Sequence, residues 1–366
     1  MNEGLALTLL SEIMHWDGDR SREEFHWLQL MSRVKYDSYP DYLAGVRFIG
    51  NLANWLQQFE PGERACAYDF VRRHLVYVGP AEMQRLVELT YPHHVQRRLR
   101  AAVSERLGVP SYSVWAHPEA RELYQRLHNE SLFMALSEGA RIDAFRRANA
   151  GLVNNEQVVA VTQPNREKWD DLLLNLKKRT GNPAARFSFV FLLDDFIGSG
   201  KTLLQEKADG VWKGKLLRFR EASANMTPTY FEDDAVVSVH HYVATAAAKE
   251  TVERLGRRAG EEVPSLRWLG KVEFTYGTVL PEDLPLDNER HPEFLALVDK
   301  YYDASIETEH TRVGGDNVKM GFGACGLPLV LEHNTPNNSI ALLWAESDGT
   351  EGARMRPLFR RRQRHV

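Results

Sequence analysis

Apolar residues recur every three or four positions through the amino-terminal third of the chain, up to about residue 130. This spacing is typical of amphipathic helices that bury one face. Turn residues interrupt it, for example at Pro61-Gly62 and Gly79-Pro80. The predicted helices cover residues 41–58, 65–76, 80–89 and 95–107. We therefore expect a helical amino-terminal region, which we place at residues 1–128.

Beyond that region, short apolar runs alternate with helical segments. Residues 187–193 are almost continuously apolar, as expected of a central strand that is buried on both faces. The other predicted strands lie at 157–162, 235–245 and 266–272, after a short apolar run at 132–136. The predicted helices lie at 142–150, 165–179 and 246–258, with one more beginning at Thr202. This alternation predicts an α/β fold with a parallel sheet of βαβ units.

The last part of the chain is expected to form a hood-like segment on the same α/β domain, which we place at residues 129–366. The pattern predicts a helix at 292–305 and strands at 327–331 and 339–344. A polar stretch with Asn334, Asn337 and Asn338 joins the two strands. Their amides have paired donors and acceptors with which to bind a base, whereas the alternative is a polar turn that caps itself.

Composition restricts the class of protein but not its function. The 366 residues are 43% hydrophobic and 26% charged, with a formal net charge of -4, so no global charge attracts the chain to nucleic acid or membrane. Two distant cysteines, Cys66 and Cys325, fit a reducing compartment better than a disulfide framework. The first residues lack the pattern of a signal peptide, and the run at 187–193 is too short to span a bilayer. We expect a cytoplasmic protein with no membrane partner.

The candidate chemistry follows the central apolar strand. Asp194 and Asp195 end the strand, and a glycine-rich loop begins three residues later. This glycine-rich loop consists of Gly198, Ser199, Gly200, Lys201 and Thr202. Glycines allow a backbone to approach a phosphate closely, and free N–H groups at a helix start bind phosphate. Carboxylates accept hydrogen bonds from the vicinal hydroxyls of a ribose, so the order of residues suits a ribose 5-phosphate.

A P-loop is the competing interpretation, because Gly200-Lys201-Thr202 matches the end of a Walker A motif. That motif needs a glycine five residues before Gly200, where this chain has Asp195. A carboxylate there would crowd and repel a triphosphate. The sequence therefore disfavours a P-loop ATPase.

The segment from residue 190 to 202 resembles the phosphoribosyl-pyrophosphate signature of type I phosphoribosyltransferases: an apolar strand, two acidic residues, two apolar residues and a short loop. The resemblance implies that Asp194 and Asp195 hold the ribose hydroxyls and a bound Mg²⁺, and that the glycine-rich loop holds the 5′-phosphate. This chain departs from the signature at Gly198, where Thr, Ser, Ala, Val or Asp is usual, and at Phe196, which is bulkier than usual.

Two longer segments, residues 137–147 and 321–344, are similar to a bacterial group of phosphoribosyltransferase-like proteins, the PRTase-CE type of conflict systems. The first segment contains Arg141, which is expected to clamp pyrophosphate oxygens; the alternative is a solvated helix start. The second contains the three asparagines, which are expected to bind the ligand. The resemblance implies a role in bacterial defence against phage, beside a protein partner encoded nearby, without implying a known substrate.

Two functions from different classes remain open at this stage. An enzyme would use Asp194, Asp195 and Arg141 as catalytic residues in Mg²⁺-dependent phosphoribosyl transfer from phosphoribosyl pyrophosphate, or in nucleotide cleavage. The alternative is a non-catalytic module that senses a nucleotide and regulates a partner.

Three further features carry open alternatives. Lys201 is either a phosphate ligand or an exposed lysine. The two histidines of His240-His241-Tyr242 face opposite sides of a predicted strand, so we expect them to be structural rather than catalytic. The arginine-rich tail at 354–364 does not by itself predict nucleic-acid binding.

Overall fold

A computed structural model describes residues 3–160, 164–224, 230–312 and 314–361. Residues 161 and 162 of the predicted strand, and Arg362 and Arg364 of the tail, lie outside the described residues. The helices are α1 Glu3–Met14, α2 Gly18–Val34, α3 Phe48–Leu56, α4 Arg64–Arg73, α5 Pro80–Thr90, α6 Gln96–Leu107, α7 Pro118–Asn129, α8 Ile142–Ala148, α9 Arg166–Thr180, α10 Lys215–Ala224, α11 Ala246–Glu262, α12 Pro292–Lys300, α13 Glu309–Arg312 and α14 Ala341–Trp344.

The described strands form three sheets, of which one has five strands. The strands are β1 Val76–Val78, β2 Ser131–Ala135, β3 Val158–Val159, β4 Phe187–Ile197, β5 Gln205–Glu206, β6 Trp212–Lys213, β7 Phe231–Thr245, β8 Glu273–Leu280 and β9 Leu329–Leu331. The helical amino-terminal part and the alternation of strands and helices confirm the predicted α/β class. No helix in the described ranges has the length and apolar character needed to cross a membrane.

The five-stranded sheet has the order β3-β2-β4-β7-β8, and all its neighbouring strands are parallel. Along the chain, β3 follows β2 and pairs with one edge of it, whereas β4 pairs with the opposite edge of β2. Strand order therefore reverses between β2 and β4. In open parallel sheets such a reversal opens a crevice beyond the carboxyl ends of the two strands, and ligands bind there.

Helix caps and an apolar core hold the sheet in place. Asn165 accepts a hydrogen bond from Lys168 N at the start of α9, and Thr245 caps α11 in the same way. Trp169 of α9 and Val190 of β4 are each 1% exposed and belong to one hydrophobic cluster. Burial of one large apolar side chain of this kind contributes ~1.5–3 kcal/mol, so this core stabilises the packing of α9 with the sheet.

The chain divides into two compact units, residues 1–83 with 282–366, and residues 84–281. In the first unit, the amino- and carboxyl-terminal segments share a core: Trp55 Nε1 donates to Leu342 O at 2.8 Å, and β1 pairs with β9 in parallel. The second unit contains the five-stranded sheet. The domain boundary predicted at residue 128 falls within this second unit, in the last turn of α7, and as a domain assignment it stays a prediction.

Three predicted elements are wrong. No helix begins at Thr202; a turn leads instead into the β5–β6 hairpin, and the helix α10 begins at Lys215. Residues 266–272 belong mainly to a 3-10 helix, Pro264–Lys271, and the strand follows as β8. Residues 341–344 are helical rather than extended. Short apolar runs do not by themselves distinguish a strand from a buried helical turn.

Candidate functional site

The reversal of strand order brings two loops together. Leu136 N donates to Leu193 O at 2.9 Å, which extends the pairing with β4 one residue beyond the end of β2. The segment that follows β2, residues 137–141, therefore begins beside Asp194 and Asp195 of β4. We call residues 137–141 the β2 loop. The loop predicted to bind pyrophosphate and the carboxylates predicted to bind ribose are thus brought together by the fold.

Asp194 is the buried member of the acidic pair. Its side chain is 2% exposed, and Lys215 Nζ lies 2.6 Å from its Oδ2 atom. Its Oδ1 atom accepts hydrogen bonds from Ser137 Oγ of the β2 loop and from Asp195 N at 3.2 Å. Burial raises the pKa of Asp194 to about 6, against the opposing charge of Lys215. Asp194 therefore joins β4, the β2 loop and α10 rather than facing solvent.

Asp195 is the more accessible member and is half-buried. Phe196 N donates to Asp195 Oδ1 at 2.9 Å. The β2 loop passes so close that a Cβ atom at Gly139 would lie 2.9 Å from Asp195 Cγ. Burial lowers the pKa of the Arg141 guanidinium, and the negative charge of Asp195 opposes this change. Asp195 is thus close enough to Arg141 for their opposite charges to interact.

The glycine-rich loop is held by its neighbours in the sheet. Thr245 Oγ1 donates to Gly198 O at 2.6 Å and accepts from Ala248 N at 3.0 Å, so one side chain caps α11 and anchors the loop. Gly200 has a φ of 76°, and a Cβ there would lie 2.8 Å from Val252 Cγ1. Both constraints require glycine at position 200. No helix follows the loop directly, so a phosphate here would meet the loop itself rather than a helix terminus. Within the loop, Lys201 N donates to Ser199 Oγ at 3.4 Å.

Sequence reasoning missed two residues of this site, Ser137 and Lys215, and gave a third, His241, only a structural role. Ser137 was part of the segment singled out for Arg141, but its bond to Asp194 depends on strand pairing. His241 lies opposite Asp194 in the β4–β7 register, and its Nε2 atom is 4.0 Å from Asp194 Oδ2. Lys215 reaches the site only because the β5–β6 hairpin returns the chain to the loop. No local pattern marks Lys215 or shows that His241 lies beside Asp194.

Burial keeps His241 neutral. Its pKa is lowered to about 3, first by burial and then by the positive charge of Lys215. His241 Nδ1 and Tyr242 Oη are buried and have no hydrogen-bond partner within the described part of the chain. His240, on the other face of the strand, contacts Thr90 Oγ1 at 3.2 Å and Thr275 Oγ1 at 2.9 Å. The two histidines thus occupy separate environments, as alternation along a strand predicted.

Comparison with known proteins identifies the family of this chain. The PRTase-CE family model matches residues 52–361, which is most of the sequence. The chain belongs to the PRTase-CE family. It is therefore a phosphoribosyltransferase-like protein. No curated protein and no solved structure matches it.

Three of the predicted ligand-binding residues of this PRTase-CE protein lie in the other compact unit. Asn338 Nδ2 donates to Phe322 O at 2.8 Å, and the Asn338 side chain is buried. Asn337 O accepts from Phe322 N at 2.6 Å, and Asn334 exchanges backbone hydrogen bonds with Leu331. These contacts stabilise a turn within that unit. The proposed role of Asn334, Asn337 and Asn338 in ligand binding stays a prediction.

The two carboxylates differ in how well they suit the predicted Mg²⁺ ion. Both oxygens of Asp194 already accept hydrogen bonds, one of them from an ammonium group, so a metal bound there would have to displace Lys215 or Ser137. Asp195 is the more exposed carboxylate and is the one that suits a hard cation. Among the described residues, no group of three His, Cys, Asp or Glu side chains is arranged to hold a metal ion.

Proposed function

We propose that this PRTase-CE protein binds a ligand containing ribose 5-phosphate, either phosphoribosyl pyrophosphate or a nucleotide, beyond the carboxyl ends of β2 and β4. One observation carries the proposal: the β2 loop lies directly against Asp195, at the point where strand order reverses. Ligands of open parallel sheets bind at such points. The signature residues 194–202 and the β2 loop thus meet where a ligand would need both.

Each group has a role suited to its chemistry. The amides and hydroxyls of the glycine-rich loop would hold the 5′-phosphate, with Lys201 supplying positive charge. Asp195 would accept hydrogen bonds from the ribose hydroxyls. Arg141 would bind a pyrophosphate or a second phosphate group with its forked donors. A Mg²⁺ ion that enters with the ligand would be held by Asp195 and by ligand oxygens, and would neutralise charge on a leaving pyrophosphate.

The proposed biological setting is bacterial defence against phage, in which the bound ligand is either used in phosphoribosyl transfer or cleaved. In the transfer reaction, the bond between the anomeric carbon and pyrophosphate breaks, and a bond to an acceptor nitrogen or to water forms. Asp195 would orient the sugar and stabilise the positive charge that develops on it. The family resemblance supports this setting, together with a protein partner encoded nearby.

A second candidate function is a non-catalytic module that senses a nucleotide and regulates its partner. One observation favours it. Asp194 and His241 have strongly shifted pKa values, but each has a side chain only 2% exposed. Both groups are thus buried, whereas proton transfer needs a group within reach of the ligand, so the accessible groups of the site suit binding better than proton transfer.

Calorimetric titration with phosphoribosyl pyrophosphate and with ribose 5-phosphate tests the proposal, with ATP as the competing ligand. Asp195→Asn is expected to weaken binding at least about tenfold, the loss of one charge-assisted contact. The matched control is Asp233→Asn, which makes the same change at an exposed aspartate of β7. The control is expected to bind like the wild type.

Three results are decisive. ATP binding that is tight and survives Asp195→Asn would restore the P-loop interpretation. If none of the three ligands binds, the proposal is overturned. Where phosphoribosyl pyrophosphate binds, release of pyrophosphate with added nucleobases or water assigns an enzyme, whereas binding without turnover assigns the sensing module.

A further inference from the structure

A buried ion pair joins the end of β4 to the start of α10. Lys215 Nζ lies 2.6 Å from Asp194 Oδ2. The side chain of Asp194 is 2% exposed, whereas that of Lys215 is 25% exposed. The pair therefore hides the carboxylate and leaves part of the lysine accessible.

The backbone holds Lys215 beside the glycine-rich loop. Lys215 N donates to Thr202 O at 3.0 Å, and Leu216 N donates to Leu203 O at 3.3 Å. Gly214 makes this return of the chain feasible, because its φ is 141° and a Cβ there would lie 2.6 Å from Leu203 C. Lys215 is thus fixed to the loop by main-chain hydrogen bonds and does not depend on its side chain for its position.

The hydrogen bonds of Asp194 leave little room for a second cation. Its Oδ1 atom accepts from Ser137 Oγ and Asp195 N, and its Oδ2 atom accepts from Lys215. An ammonium group has three N–H donors, and Asp194 takes one of them. The remaining donors suit the oxygens of a phosphorylated sugar, since lysine binds phosphate as a compact positive charge.

We propose that Lys215 is a ligand-binding residue of this site, and that its ammonium occupies the place at Asp194 where a divalent cation would otherwise bind. Asp194 acts as the counter-ion that holds the ammonium, and Lys215 contacts the anionic oxygens of the ligand. This inference rests on the proposed function, because it concerns the same ligand. Its consequence is that binding does not require a divalent cation at Asp194.

Titration of phosphoribosyl pyrophosphate in EDTA, and again in excess Mg²⁺, tests the proposal. Lys215→Met is expected to bind about 10- to 100-fold more weakly than the wild type in each buffer in which the wild type binds, as for loss of a charge-assisted hydrogen bond. Lys215→Arg is expected to retain binding within about tenfold of the wild type. Lys213→Met is the matched control, since it removes the same charge at an exposed position two residues away.

The outcomes separate this inference from the function on which it rests. No binding by the wild type in either buffer overturns the proposed function, and this inference with it. Unchanged binding by Lys215→Met, in a buffer in which the wild type binds, overturns the inference alone. A gain of affinity by Lys215→Met in Mg²⁺ also overturns it, because Lys215 would then be blocking a metal site at Asp194.

A folding control is needed, because Lys215→Met leaves a buried carboxylate without its counter-ion. The double variant Asp194→Asn/Lys215→Met removes both charges, and its thermal midpoint shows whether the fold is intact. Binding by this double variant is expected to be as weak as that of Lys215→Met. Recovery of wild-type binding in the double variant would show that Lys215 only neutralises Asp194, and would overturn the proposal.

Discussion

Gly139 lies against the carboxylate of Asp195, so closely that a Cβ atom at position 139 would be 2.9 Å from Asp195 Cγ and nearer still to Oδ2. The contact joins the β2 loop to the more accessible acidic residue of β4. Any side chain at position 139 must displace the carboxylate that we propose binds ribose.

Gly139→Ala is therefore expected to weaken binding of phosphoribosyl pyrophosphate about tenfold or more, because Asp195 must rotate away from its hydrogen bond with Phe196 N. Calorimetry on the purified variant measures the effect. Gly62→Ala is the matched control, since a Cβ at Gly62 meets nothing within 4 Å. Wild-type affinity in Gly139→Ala would contradict the role given to this contact.

Thr245→Val is expected to affect both stability and binding. It removes the hydroxyl that caps α11 and donates to Gly198 O. Loss of the cap should lower the free energy of unfolding by about 1–2 kcal/mol, and release of Gly198 should weaken ligand binding. Urea unfolding and calorimetry measure the two effects, and Thr245→Ser, which keeps the hydroxyl, should retain both properties. If Thr245→Val loses stability but binds normally, the loop does not depend on this anchor.

His241 makes stability depend on pH. Its pKa in the folded protein is about 3, well below the ordinary value of 6.5, mainly because of burial. As pH falls below about 6.5 the unfolded chain takes up a proton that the folded protein cannot, so stability falls towards pH 3 by at most ~1.4 kcal/mol per pH unit. Above about pH 7 this contribution is complete and constant.

Urea unfolding between pH 7 and pH 4 measures this effect of His241. His241→Gln is expected to lose less stability on acidification than the wild type. His93→Gln, which changes an exposed histidine, should follow the wild type. Equal slopes for His241→Gln and the wild type would mean that His241 is protonated in the folded protein without penalty.

Asn338→Ala distinguishes two roles of that asparagine. Its amide donates to Phe322 O from a buried position, so its removal is expected to lower the free energy of unfolding by about 1–3 kcal/mol. Affinity of the folded variant for phosphoribosyl pyrophosphate and for nucleotides should not change. Weaker nucleotide binding at unchanged stability would instead support the base-binding role inferred from the sequence.

The sequence predicted the central strand and its chemistry well, because both are local. An apolar run long enough to be buried on both faces marked β4, and the two carboxylates and the glycine-rich loop lie within nine residues of one another, at 194–202. The predicted helix at Thr202 was wrong because the positive φ of Gly200 and the hydrogen bonds of Leu203 and Leu204 to Gly200 O close a turn there. The tight turn, rather than helix propensity, decides the local structure.

By itself, the sequence determined the α/β class, the position of β4 and the identity of the signature residues, since each depends on periodicity or on neighbours in the chain. Only the tertiary structure decided which carboxylate is accessible and what accompanies it. Parallel pairing places Ser137 and His241 beside Asp194, and the hairpin brings Lys215 back to it. In the sequence, these three residues are separated from Asp194 by 57, 47 and 21 positions, yet all three lie beside its carboxylate. Strand pairing and the return of the hairpin set these contacts, and the pattern within one segment does not show which distant segment it will lie beside.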